Sequence, residues 1–333
     1  MSHRLGSFDY TRMRQSGLKI EDRNEKLFRM KLDFTAREIK KYEAVKFIQK
    51  HHYSPVMPAI TKHYLGFHLG EELKGVITLG YGTRPRHTLA KMFPGLKEEV
   101  FAKQDDSEDF IHPLSNYYFE IGKMCLSPEL NSNQSAGSQM VAATIRWMKT
   151  NTDCLFLYTM ADGIFGKVGY VYQASNFLFG EKYFTDTYLM KNGEKLHPRS
   201  AKILCQENLA WELNRNRYFG RNTLARFTKD WMRHKGIKRI KGYMFRYIFP
   251  MNRRANKLLF DEGSSSLEWN RDYPKEDDLR FFDATDNKNV VEISELPFSD
   301  NAFVSAEHNF ENVNAHRTSL NILDKFIPRE EFR

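Results

Sequence analysis

Tyr117-Tyr118-Phe119-Glu120-Ile121-Gly122-Lys123-Met124-Cys125-Leu126 alternates along its length and is rich in aromatic residues, the pattern of a strand, and Ser127-Pro128 stops it. Asn131-Ser132-Asn133-Gln134-Ser135-Ala136-Gly137-Ser138 follows, too short and polar to pack but suited to open a helix. Met140 to Lys149 supplies that helix, with Val141, Ile145 and Met148 on one apolar face. Cys154-Leu155-Phe156-Leu157-Tyr158-Thr159 then reads as a second strand that delivers Met160-Ala161-Asp162 at its carboxyl end, where ligands gather in open α/β sheets. Asn116 to Gly180 is thus the core of an acyl-transfer enzyme by its pattern. A small-residue loop entering a helix offers free N–H groups to a phosphate, so Ser135, Gly137 and Ser138 are candidates for holding an acyl-coenzyme A-like donor. A serine-capped helix after a loop explains the same residues, and Gly137 stands alone where acetyltransferase loops carry several glycines.

Outward from this stretch, Thr35-Ala36-Arg37-Glu38 reads as a capping box opening a helix that runs to His51-His52-Tyr53-Ser54-Pro55. Leu65 to Gly70 and Leu73 to Gly80 read as a hairpin. Val168 to Phe177 suits a short helix, Tyr183 to Met190 and Gly242 to Phe249 suit strands, and Leu224 to Lys235 a helix with a basic exterior. The sum is a mixed α/β sheet of roughly six or seven strands. The expected divisions are a basic amino-terminal arm over 1–34, a catalytic domain over 35–260 and an acidic extension over 261–333 that Gly263-Ser264-Ser265-Ser266 opens like a linker. Within the domain lie an insertion at 87–113 and a basic helical region at 199–241.

No window approaches the roughly 20 apolar residues of a membrane span, and the basic amino terminus lacks the apolar block of a signal peptide, so a cytoplasmic protein is expected. Cys125, Cys154 and Cys205 are too few and scattered for a disulfide framework or zinc site and read as buried thiols. No metal ligands are assigned: His51, His52, Asp162 and His63 or His68 could converge on an ion, but no tight ligand spacing shows it.

The net charge of +9 conceals an asymmetry. Residues 261–333 carry 17 acidic and 8 basic side chains, which leaves +18 on the first 260. Between Arg199 and Lys257, 16 Lys/Arg face only Glu207, Glu212 and Asp230. Such a field suits a polyanion, and nucleic acid is the commonest. Arg84, Arg86, Arg215, Arg217, Arg221, Arg226, Lys229 and Arg233 are candidates for duplex DNA contact, with Tyr218, Phe219, Tyr243 and Phe245 interleaved. A solvated basic face is the plain alternative.

The ordered set His52-Tyr53-Ser54, Gly80-Tyr81-Gly82-Thr83-Arg84-Pro85, Tyr118 to Leu126, Asp162, Tyr172-Gln173-Ala174-Ser175-Asn176-Phe177 and Tyr243 to Pro250 resembles phage Mom-like DNA-modification proteins, over roughly residues 35–260. The resemblance implies a GNAT-like fold: a mixed, mostly antiparallel central sheet flanked by helices. It further implies a transferase that modifies the exocyclic N6 amine of adenine, with a carbamoylmethyl-like or acyl group, so that phage DNA escapes host restriction. By position it points to His52, Tyr53, Asp162 and Tyr172 as catalytic, and less directly to Ser138. That amine is a poor nucleophile because its lone pair is delocalised, so Asp162 or His52 would remove a proton while Tyr172 protonates a leaving group or orients the flipped base and Tyr53 stacks on it. His52 as a helix cap and Tyr172 as a core tyrosine are the plain alternatives. A GNAT-like acyltransferase acting on a protein, tRNA or small-molecule amine, and a catalytically idle DNA-binding protein, remain competing readings. The donor, the DNA sequence context and the oligomeric state are left open.

Overall fold

Thr35–Glu38 does not open a helix. In the computed structural model it forms an edge strand, β1, antiparallel to β2, Ile60–Leu69. The helix α1 starts later, at Lys41–His51, and its first turn is closed by Glu43, whose carboxylate accepts from the Lys40 N–H at 3.1 Å. Glu43 stands three residues after the last extended residue, as Glu38 does in the expected box, so the local signal for a start was present twice. Pairing with β2 decides between them. The structure describes residues 31–52, 57–58, 60–82, 84–101, 114–130, 133–193, 195–196, 202–215, 227–286, 288–295 and 297–298.

The expected hairpin is β2 with β3, Glu72–Tyr81. Helices α2, Pro85–Met92, and α3, Lys97–Phe101, occupy part of the expected insertion. Then come β4, Tyr118–Leu126; α4, Ala136–Asn151; β5, Phe156–Asp162; and α5, Tyr170–Gln173. The remaining elements are β6, Leu178–Leu189; β7, Lys195–Leu196; α6, Lys202–Leu213; α7, Lys229–Lys235; β8, Lys238–Pro250; α8, Arg253–Phe260; β9, Phe281–Asp283; and β10, Val291–Ile293. The sheet runs β1-β2-β3-β4-β5-β8-β6-β7, with β9 on β8 and β10 on β9. Its ten strands among the described residues exceed the expected number because β7, β9 and β10 are too short to show alternation.

Every pairing is antiparallel except β4 with β5, and α4 makes the crossover those two parallel strands require. Helices cover both faces. Helix α1 packs Ala44, Val45 and Ile48 against Tyr64, Val76 and Cys125, while Met140 of α4 meets the opposite face at Gly75. Cys125, Cys154 and Cys205 are all buried free thiols.

Residues 265–284 lie against this sheet. Trp269 is 4% exposed, packs on Gly180 of β6 and stacks over Phe93, which in turn stacks on Phe156 at 4.6 Å. Ser266, within the stretch that reads as a linker, donates its N–H to the Met92 carbonyl at 2.9 Å, and its hydroxyl donates to that of Lys91 at 2.5 Å. The strand β9 then pairs Phe281–Asp283 with Ile240–Gly242. Among the described residues, no helix is long and apolar enough to cross a membrane.

Candidate active site

Strands β4 and β5 pair only where Tyr118–Glu120 faces Phe156–Tyr158. Beyond Glu120, β4 stays with β3 and β5 stays with β8 as far as Asp162 opposite Met244. The two parallel strands therefore part like a fork, and the gap between them opens a cleft. Ile121–Met124 forms one wall and Met160–Asp162 the other, while His52, Gly166–Tyr172 and Glu276 close a cavity of about 480 Å³.

A second cavity, of about 570 Å³, lies on the sheet face that carries Glu120, Tyr158, Met160 and Asp162. Arg246, Tyr183 and Lys195 come from the neighbouring strands, and Thr88, Lys91 and Met92 of α2 lie over it. Both volumes suit small-ligand sites. Met160 and Asp162 line both cavities, which places the end of β5 between them.

Asp162 is mostly buried. Its Oδ2 accepts from Lys195 Nζ at 2.7 Å, whereas its Oδ1 is buried with no hydrogen-bond partner among the described residues. Lys195 also sits over the Phe165 ring at 3.9 Å, so the ammonium is fixed from two sides. A buried carboxylate with one oxygen held and the other unsatisfied is costly, and a polar ligand group there would offset that cost. His52 and Tyr172 line the same cleft. His52 ends α1, its N–H donating to Ile48 at 2.8 Å, so the helix-cap role and the placement coexist. Burial pushes the Tyr172 phenol up, with the neighbouring Thr159 hydroxyl opposing, so Tyr172 stays a protonated donor. Tyr53 lies outside the described residues.

The proposed donor-binding residues are not turned to the cleft. Ser135 donates its hydroxyl to Asn133 Oδ1 at 2.9 Å and accepts from Gln139, and the Ser138 hydroxyl donates to the Ser135 carbonyl. Gly137 lies in the first turn of α4 rather than in a loop, and a Cβ on it would meet Val171 at 3.0 Å. Glu276 shares the cleft with Lys123 and Lys167, and none of Ser135, Gly137 and Ser138 lines it.

Among the basic candidates, Arg84 precedes α2 and is exposed, and Arg86 donates to the Val100 carbonyl. Arg215 stacks on Trp211 at 4.3 Å and lies 3.9 Å from Asp230. Lys229 pairs with Asp286, and Arg233 lies 3.8 Å from the same carboxylate, so two of these cations face the acidic extension. Arg217, Arg221 and Arg226 lie outside the described residues.

The histidines are dispersed. His63 bonds Glu38 at 3.0 Å and His51 packs on Phe47. Among the described residues no three His, Cys, Asp or Glu side chains are grouped to hold a metal.

Sequence reading alone passed over Glu120 and Lys123, three apart on β4, as ordinary strand residues. Burial pushes the Glu120 carboxyl up to about 7. Burial, reinforced by Lys195 and opposed by Asp162, brings the Lys123 ammonium down to about 7. A Glu and a Lys inside a strand otherwise rich in apolar and aromatic residues were the available signal, since charged side chains are rarely buried without a role.

No curated protein matches the chain. A family model, that of the Mom protein family, matches residues 33–275.

Proposed function

The chain belongs to the Mom protein family, and we propose that it is a DNA base-modifying transferase, acting on the exocyclic N6 amine of adenine in phage DNA and protecting that DNA from restriction. The observation that carries this reading is Asp162, which stands between two cavities with one oxygen anchored by Lys195 and the other unpartnered. Transfer needs a donor and an acceptor brought together from separate sites, and two cavities that share Met160 and Asp162 support that reading.

The flipped base occupies the cavity on the sheet face. Its entry is a cost of a few kcal/mol in unstacking, offset by contacts with the extruded ring. Arg246 lies over Tyr183 at 4.4 Å, a flat cationic and aromatic wall of the kind on which bases stack. The donor enters the cleft between β4 and β5 with its reactive carbon at the fork. Asp162 Oδ1 then accepts a hydrogen bond from the amine and turns it toward that carbon, while Tyr172 and His52 contact the donor from the cleft side. Duplex DNA is held by the basic surface, for which the net +18 of residues 1–260 is the support.

Replacing Asp162 by Asn keeps the shape but puts an N–H donor or a neutral oxygen where the anion was. The expected result is unchanged retention on duplex DNA with the modified nucleoside reduced about 100-fold or more, read by mass spectrometry of nucleosides from DNA of expressing cells. Normal modification by the Asn variant would overturn the assignment. Unchanged nucleosides with the wild-type protein would move the activity to a protein, tRNA or small-molecule amine.

A further inference from the structure

The geometry points to Glu120 as the catalytic base, the group that takes the proton from the acceptor amine. This rests on the reading above, that the chain transfers a group to a base in DNA.

Among the described residues, three acidic ones line the sheet-face cavity: Glu120, Asp162 and Asp186. Two of them are engaged by cations. Asp162 accepts from Lys195 at 2.7 Å and Asp186 from Arg239 Nε at 2.6 Å. The Glu120 carboxylate has neither a hydrogen bond nor an ion pair among the described residues. Its position is also the distinctive one in the topology. Glu120 opposite Tyr158 is the last pair of the β4–β5 ladder, so its Cα marks the vertex of the fork, and Met160 and Asp162, which line both cavities, follow Tyr158 on β5. Gly82, just past β3, leaves room for the carboxylate, since a Cβ there would meet Glu120 Oε2 at 3.1 Å.

The environment suits a proton acceptor. Tyr118 and Tyr158 flank Glu120 from β4 and β5, Arg246 comes from β8, Lys91 from α2, and Asp162, Asp186 and Lys195 share the cavity. Burial is nevertheless the only influence strong enough to move its carboxyl, and moves it upward toward neutrality. A base whose proton affinity matches the working pH gives up least driving force while remaining free to accept.

The step balances without any further reactant than an activated donor, an acyl or carboxamidomethyl-type carbon bearing a leaving group. The amine nitrogen forms its bond to that carbon, the bond from carbon to the leaving group breaks with its electron pair going to the leaving group, and one N–H proton passes to the Glu120 carboxylate. The leaving group or solvent later takes that proton from Glu120, which restores the base.

Glu120→Gln and Glu120→Asp test the assignment in cells carrying the full chain, by nucleoside mass spectrometry together with duplex retention and thermal melting of the purified proteins. The Gln variant is expected to bind DNA as the wild type does and to lose at least about 100-fold of the modified nucleoside, with the Asp variant recovering part of it. Melting separates a catalytic carboxylate from a structural one. A carboxyl raised from 4.5 to about 7 by folding lets stability drain away as pH climbs through that window, and the amide escapes this loss. At pH 8 the Gln variant should therefore melt at or above the wild type, with the difference vanishing near pH 5. Yield within a few-fold of wild type, or loss of yield with a lowered melting point at pH 8, would overturn the role of Glu120. A wild-type protein that leaves every nucleoside unmodified overturns the parent reading, and the base role falls with it; the outcomes are distinguishable because only the last involves the wild type.

Discussion

Lys195 shows what single side chains do at this site. It comes from a two-residue strand, reaches Asp162, and leans on Phe165, and both partners of the ion pair are more than four-fifths buried. Removing one member of such a pair costs more than the pair itself contributes, because the other charge stays behind in a poorly solvated place. Lys195→Ala should destabilise the protein by about 3 kcal/mol, measured as a fall in the urea midpoint. Asp162→Ala made in the Lys195→Ala background should cost much less than it does alone, since the orphaned charge is then gone.

At the scale of elements, β6 depends on an absent side chain. Gly180 lies where the β6–β8 register slips between Phe179 and Lys182, and a Cβ built on it would come within 2.1 Å of the Trp269 ring. Gly180→Ala should cost about 1–3 kcal/mol through overpacking and shift the tryptophan emission to the red as Trp269 loses its apolar seat; unchanged emission and stability would show that the ring relocates freely. This contact also explains where sequence reading ran out. The hairpin, β4, β5 and β8 were legible because each carries its own alternation or apolar run, and Asp162 was legible as the residue that ends β5. Thr35–Glu38 was not, because its pairing with β2 outweighs a local helix signal. The Gly263–Ser266 stretch reads as linker by composition, yet its serines are hydrogen-bond partners of α2, a relation between residues more than 170 positions apart that no local window contains. Glu120 escaped for a related reason: the fork that gives it meaning is a property of where pairing stops.

Across the whole molecule, charge is divided between a basic body and an acidic extension, and the two meet at Asp286. This carboxylate accepts from Lys229, which holds it below the usual carboxylate range, and lies close to Arg233. The extension thereby neutralises part of that basic surface. Asp286→Asn should strengthen duplex binding several-fold at low salt and steepen its salt dependence, both read by fluorescence anisotropy, because each cation released to a phosphate displaces about one condensed counterion. Equal affinities and slopes for variant and wild type would place the DNA path away from α7.

Gln173 joins these scales. From α5, beside Tyr172, its side-chain amide lies within hydrogen-bond distance of the Val168 carbonyl, the Tyr247 hydroxyl and the Pro274 carbonyl at 3.1–3.2 Å. The last of these is a main-chain oxygen, which every amino acid carries. Evolution could therefore rewrite the side chain at that position without surrendering the tie, as long as the path of the backbone is kept: the cleft wall is insured against drift in the extension's sequence, though not against a change in its length.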